Sequence, residues 1–309
     1  MTRHRHAAPP AHPPVLRAGA AYYKAHGLGN DYLVFEEGDD WDVTPASVAR
    51  VCDRFRGPGG DGIVVLLAGS GEPFRLRMFN PDGSEFERSG NGLRVLASHL
   101  ARAARVDSQP FTVEVGGDRV SMTVHRTDGA VHDVSVEMGR ARVGPAAVAL
   151  DPSALDEAGR LAGPGGEPLT VTPVSVGNPH MVVWTDDLTD AALHRIGPFV
   201  TAHPALAHGA NVQLARPDGG GRCRALIWER GVGKTSASGT SSCAVAVAAV
   251  VRGVQPPGRI TIHMEGGVLT VDVTDDLDVV LRGPVEEVCE GGLTPGFLSA
   301  LASGRGGGE

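Results

Sequence analysis

Hydrophobic and polar positions alternate, or cluster in short apolar runs, at 22–35, 62–67 and 74–79, with Gly, Asp and Pro turns between them. Such runs predict β-strands. The stretch 91–105 changes period. Leu93, Leu96, Leu100 and Ala104 fall on one helical face, with Ser89 and Gly90 just before it, which predicts an amphipathic helix. Strand patterns return at 112–115, 120–124 and 131–138. A Pro/Gly/Ala-rich connection at 139–170 then marks a domain junction.

The pattern restarts beyond the junction. Strand-like runs occupy 171–176, 181–184, 211–215 and 224–229. A second helix is predicted over 242–252, apolar all round and therefore buried. Three further strand-like runs follow at 259–264, 268–273 and 279–281. In each half, strands lead to a Ser-Gly-polar triplet from which a helix starts: Ser89-Gly90-Asn91 and Ser238-Gly239-Thr240. The first backbone N–H groups of a helix are unpaired and its dipole is positive there, so each triplet is a potential anion site. Two such sites facing each other across a cleft can hold one carboxylate from both sides. The alternative is a pair of ordinary serine N-caps.

Composition narrows the class. Of 309 residues, 41% are hydrophobic and 21% charged, enough to bury a core and too ordered a mixture for wholesale disorder. The net charge of -8, without a basic stripe, argues against a nucleic-acid partner. The longest apolar run, 244–251, is far short of a membrane span, which needs about 20 residues. Cys52, Cys223, Cys243 and Cys289 form no C-x-x-C pair, which argues against a disulfide scaffold or a cysteine zinc site. The first 20 residues are rich in Pro, His and Ala without a signal-type apolar core, so they read as a disordered leader on a cytoplasmic protein. Residues 301–309 read as a second tail. The stretch 231–236 (GVGKTS) looks like the end of a phosphate loop, but that motif needs glycine where Trp228 stands. The histidines are too scattered for a metal site.

The remaining polar residues gather in glycine-rich turns: HGLGNDYLVFE, CDRFRGPGGDGIVVL, FRLRMFNPDGSEFERSGNGLR, VSVGNPH, GANVQLA, ERGVGKTSASGTSSCA, and EGGVLTVDV followed by VVLRGPVEEV. In this order, over about 22–293, they resemble the diaminopimelate epimerase family.

The resemblance implies an α+β fold of two pseudo-symmetric domains, each a mixed or antiparallel β-barrel around a central helix. The expected division is 21–140, completed by 284–300, and 141–283. It implies proton transfer at an amino-acid α-carbon without pyridoxal phosphate, any other cofactor or a metal. The implied partner is a small amino-acid substrate, and a homodimer is the expected assembly. In the family two cysteines work from opposite faces. The matching positions here are Ser89 and Ser238, which are far weaker acids. Lys234 stands where the family commonly has Glu, and Cys243 falls in a small-residue helical stretch that implies packing. Asn30, Asn80, Asn178, Asn211, Glu229 and Arg230 match positions for the far end of the substrate. Gly90, Asn91, Gly239 and Thr240 match the backbone cradle for the reacting carboxylate. His180 and Glu229 are the remaining candidates for a base. Epimerisation with Ser89 and Ser238 as relays is the leading expectation. Elimination, double-bond isomerisation or cyclisation on the same cradle is the second, and a catalytically dead amino-acid-binding homologue the third.

Overall fold

Strand β1 (Arg17–Gly27) turns back into β2 (Asn30–Glu37), followed by β3 (Trp41–Asp42), helix α1 (Pro45–Cys52), β4 (Ile63–Leu66), β5 (Phe74–Phe79) and β6 (Glu85–Phe86). Helix α2 (Gly90–Arg102) leads on to β7 (Phe111–Val115), β8 (Asp118–Asp128) and β9 (Val131–Arg140). The second half holds β10 (Arg142–Val143), two 3-10 turns (Pro145–Val148 and Pro152–Ala154), β11 (Arg160–Ala162), β12 (Pro168–Ser175), β13 (Pro179–Trp184), α3 (Asp190–Thr201), β14 (Asn211–Gly219), β15 (Arg222–Glu229) and β16 (Gly233–Thr235). It ends with α4 (Gly239–Val251), β17 (Gly258–Met264), β18 (Gly267–Val273), β19 (Asp278–Gly292) and α5 (Pro295–Ala302). This computed structural model describes residues 15–69, 71–86 and 89–303.

The two halves repeat one plan. Parallel neighbours need a crossover, and here each is a helix: β2–α1–β4 and β5–α2–β7 in the first half, β13–α3–β14 and β15–α4–β17 in the second. In the first half the order β1–β2–β4–β5–β7–β8–β9–β19 returns to β1, closing an eight-strand barrel. The fold is therefore α+β, a pseudo-symmetric pair of barrels each built around a helix. One strand joins the pair. Strand β19 pairs through Asp278–Glu286 with β9, through Val279–Arg282 with β18, and through Glu286–Gly292 with β1.

Burial explains the strand patterns. In β7 every second residue is buried, as one face toward a core demands. In β4 all four residues of Ile-Val-Val-Leu are buried. Val64 and Leu66 join the core packed on α2, while Ile63 and Val65 pack with Val48 and Val51 of α1. A strand covered on both faces loses its alternation.

Several expectations need correcting. Helix α2 is not half exposed: Gly90 to Ser98 are all buried, its polar residues included. Threading the helix through a closed barrel removes the solvent face, and several of its polar atoms find internal partners. Ser98 Oγ lies 2.5 Å from Tyr23 Oη, and Arg94 donates to Asn91 Oδ1 at 2.9 Å. The helix stops at Arg102, with Ala104 in the left-handed region at φ 53°. The leader expected over 1–20 contributes to β1, where Arg17 pairs with Asp42 and the fully buried Ala18 with Trp41. Helix α5 runs into the expected tail as far as Ala302. Residues 1–14 and 304–309 lie outside the described residues. Helices α1, α3 and α5 were not anticipated.

Helices α2 and α4 start beside each other. A Cβ built on Gly90 would meet Leu281 Cδ2 at 3.0 Å, and one on Gly239 would meet the same methyl at 2.9 Å. Leu281, on β19 and fully buried, is thus the wedge between two helix N-termini. Truncating it leaves a cavity that both barrels share. Leu281→Ala is expected to cost about 2–5 kcal/mol in denaturant unfolding, whereas Leu281→Met, which conserves volume, costs less than about 1.5 kcal/mol.

Candidate active site

A cavity of about 570 Å³ opens between the two halves, over the convergent helix starts. Ser89, Gly90 and Asn91 form one wall, and Ser238, Gly239 and Thr240 form another. Asn30, Asn80, Asn178 and Glu229 complete the set of expected residues that line it. Tyr32 and Asp61 line it as well and were not anticipated.

The two serines hold the same position in the repeat but bond differently. Ser89 is an ordinary N-cap: its Oγ accepts the Gly92 N–H at 3.1 Å. It also accepts the Tyr32 hydroxyl at 3.3 Å. Both partners donate, so the proton of Ser89 is left for the cavity. Ser238 makes no side-chain cap on α4. Its hydroxyl instead stands beside the Glu229 carboxylate. Helix α4 therefore presents uncapped N–H groups to the cavity.

Glu229 ends β15, and burial raises its pKa above the ordinary carboxylate value; the hydrogen bond from Ser238 opposes that and the nearby Asp61 adds to it. Burial likewise pushes Tyr32 up to about 12, against the hydrogen bond to Ser89. Asp61 is fixed in place by its neighbours. It accepts from Asn30 Nδ2 at 2.9 Å, from the Asp31 N–H at 3.1 Å and from Arg54 at 2.7 Å. Arg54 also bonds Asp31, as does Lys24.

Not every expected residue reaches the cavity. Asn211 and Arg230 are not on its wall. Asn211 Oδ1 accepts the Arg230 N–H at 2.9 Å, and the Arg230 guanidinium turns outward to the carbonyl of His208. Nor is His180, which is fully buried behind Asn178. Gln213 Nε2 lies 3.0 Å from His180 Nδ1, and His180 Nε2 lies 2.8 Å from Asn178 Oδ1. With Gln213 donating, His180 carries its proton on Nε2 and passes it to Asn178 Oδ1. The Asn178 NH2 is then left to face outward. Both ring nitrogens are engaged, so His180 orients Asn178 and offers no free lone pair. Asn80 is fixed by its turn, donating to Ser84 Oγ at 3.0 Å. Lys234 lies outside the cavity, clamped between Asp190 at 2.7 Å and Glu265 at 2.9 Å. Among the described residues no His, Cys, Asp or Glu cluster has the form of a metal site, and no helix is long and apolar enough to cross a membrane.

The sequence matches the family model for diaminopimelate epimerase over 22–144 and 172–288, all of the walls just described. The chain belongs to the diaminopimelate epimerase family. A diaminopimelate epimerase of Desulforudis audaxviator is 39% identical over 273 residues, covering 87% of this chain and 98% of that one. That of Bacillus subtilis is 34% identical over 275 residues, covering 87% and 97%. Among solved structures, a predicted epimerase from Pseudomonas aeruginosa aligns with a TM-score of 0.65 at 22% identity, over 89% of this chain and 99% of that one. A hydroxyproline epimerase from Agrobacterium vitis, with bound trans-4-hydroxy-L-proline, aligns with a TM-score of 0.62 at 16% identity, over 90% and 94%. These two alignments bear on the fold. Family and curated relatives together put the chain among the epimerases and racemases that work without a cofactor.

Burial holds the pKa of His180 down to about 3, against the hydrogen bond from Gln213. A histidine that stays neutral when folded but protonates near pH 6.5 when unfolded favours the unfolded chain below that pH. Its contribution is complete above pH 6.5 and is lost as the pH falls toward 3. We expect folding stability to decline in this window by up to about 1.4 kcal/mol per pH unit from His180. Urea unfolding of His180→Gln beside the native chain should show a shallower decline between pH 6.5 and 4.5. Identical slopes would mean that His180 already titrates in the folded protein.

Proposed function

We propose that the chain transfers a proton at the α-carbon of an amino acid, diaminopimelate or a related zwitterion, held between the two helix N-termini. The observation that carries this reading is the placement of Ser238 beside a half-buried Glu229, opposite a Ser89 that only accepts. The α-carboxylate sits on the Ser89-Gly90-Asn91 and Ser238-Gly239-Thr240 backbones, and the ammonium end faces Glu229 and Asp61. The Ser238 oxygen takes the α-proton while its own proton moves to Glu229, which removes the need for a free alkoxide. The charge left on carbon spreads into the carboxylate, where the positive ends of both helices oppose it. Ser89 gives its proton to the opposite face. Tyr32 donates to Ser89 in the resting state and stabilises the oxygen that results. Water returns a proton to the Ser89–Tyr32 pair and removes one from Glu229 after release.

The test is α-proton exchange in D2O, followed by proton NMR with LL- and meso-diaminopimelate and a panel of free amino acids. Wash-out of the α-proton with inversion of the centre is the expected result. Glu229→Gln should lower the rate by about 10²–10⁴-fold, the usual worth of a positioned base. A base works only when ionised, and the pKa of Glu229 is raised, so the native rate should fall on the acid side at a pH above the ordinary carboxylate range. If only a Ser89→Cys/Ser238→Cys variant exchanges the proton, the serine mechanism is wrong. If neither protein exchanges it with any amino acid, so is the substrate class.

A further inference from the structure

Beneath the cradle lies a cation that none of this chemistry has used. Arg94, one turn into α2, is 1% exposed and is among the largest fully buried side chains in the molecule. Its Nη2 donates to Asn91 Oδ1 at 2.9 Å. Its Nε and Nη1 are buried with no hydrogen-bond partner. Among the described residues no carboxylate pairs with it; the buried thiol of Cys243 is the group that acts on its charge. Backbone encloses it from both halves. A Cβ on Gly27 of β1 would lie 2.7 Å from Nη2, one on Gly239 of α4 would lie 3.7 Å from Nη1, and one on Gly283 of β19 would lie 3.9 Å from Cζ. The unpaired Nη1 thus points at the start of α4, the helix whose N–H groups carry no side-chain cap.

An unpaired buried charge costs several kcal/mol, and replacing it with an apolar group is often neutral or stabilising. Such a charge is explained when its partner arrives with a ligand. We propose that Arg94 is the built-in counter-charge of the cradle, a positioning residue that fixes Asn91 and supplies the positive field in which a substrate carboxylate and its α-carbanion sit. This rests on the carboxylate placement proposed above but not on the identity of the amino acid. Two links run from it to the cavity. The first is the chain Arg94–Asn91–Asn30–Asp61, in which Asn91 Nδ2 bonds the Asn30 carbonyl at 2.6 Å and Oδ1 at 2.9 Å. The second is the open start of α4.

The experiment measures binding to the full-length protein by calorimetry. The probes are glycine, meso-diaminopimelate and glycinamide, which lacks the carboxylate, with unliganded thermal stability recorded in parallel. The variants are Arg94→Met, Arg94→Lys and Cys243→Ala. Native protein and Arg94→Lys should bind a carboxylate probe in preference to glycinamide. Arg94→Met should lose at least about tenfold in carboxylate affinity, leave glycinamide unchanged, and be no less heat-stable than the native chain. Cys243→Ala should keep the carboxylate preference. Glycine binding without diaminopimelate binding would support the role of Arg94 while overturning diaminopimelate as substrate. The proposal is overturned if Arg94→Met keeps its carboxylate affinity, if Arg94→Lys fails to restore it, if Arg94→Met unfolds while Arg94→Lys is stable without carboxylate preference, if Cys243→Ala abolishes the preference, or if the native protein prefers no carboxylate probe.

Discussion

Two helices begin against the same methyl group, and the rest of the molecule is arranged around that meeting. Leu281 Cδ2 would crowd a side chain at the first residue of either helix, at 3.0 Å from a Cβ on Gly90 and 2.9 Å from one on Gly239. Glycine at both places brings the helix starts together. The barrels then serve as scaffolding: each encloses one helix and turns its N-terminus toward the other half. Strand β19 holds the meeting in register because it pairs on both sides of it, with β18 and β9 before Glu286 and with β1 after. The cavity and its polarity follow from this one juxtaposition. Residues of both halves line the cavity.

The symmetry of the backbone is broken by the side chains, and the break is where chemistry enters. Ser89 and Ser238 are equivalent by repeat. Gly92 N–H and Tyr32 hold the first as an acceptor. Glu229 is the acidic neighbour of the second. A pair of thiols can share the two roles because a thiol and its thiolate are both accessible near neutrality. Serine lacks that freedom, so in the proposed mechanism its neighbours assign the direction of transfer. Glu229 can do so because burial, in raising its affinity for a proton, makes it a better base than an exposed carboxylate.

Much of the architecture was legible because it depends on period. The strands of the first barrel, the apolar helix in the second half and the two Ser-Gly triplets are local patterns. What escaped depends on contacts far apart in sequence. Helix α1 is only eight residues long, and its clear signal, the Thr44 and Ser47 capping box before an apolar turn, is brief. Pro198 inside α3 disguised that helix. Leu93, Leu96, Leu100 and Ala104 give 91–105 an amphipathic period, yet a closed barrel buries the polar Arg94 and Ser98 as well. Asp61 reaches the cavity through Arg54 and Asn30, ligands that no spacing rule links to it. Arg230 and Asn211 matched the family pattern, yet their side chains bond each other's loops, away from the cavity wall. His180 carried the residue type of a base; only its bonds to the buried Gln213 and to Asn178 show that it orients Asn178.

The charges around the cavity are sorted by what carries them, and that sorting constrains orientation. The positive groups, two helix starts and Arg94, belong to backbone or to a fully enclosed side chain. The acidic groups, Glu229 and Asp61, are side chains on the cavity lining. In the proposed mechanism a zwitterion entering this field is turned so that its carboxylate meets the helix starts and its ammonium the acidic side chains, which leaves the α-hydrogen pointing at one serine or the other. Fixed dipoles and an enclosed guanidinium do not reorganise when charge develops on carbon, so in that mechanism the arrangement that orients the ground state also stabilises the carbanion. A solvated lysine at the rim would bind a carboxylate as well but would be screened and mobile. Burying the cation unpaired costs stability in the empty protein and places its field where no water can weaken it.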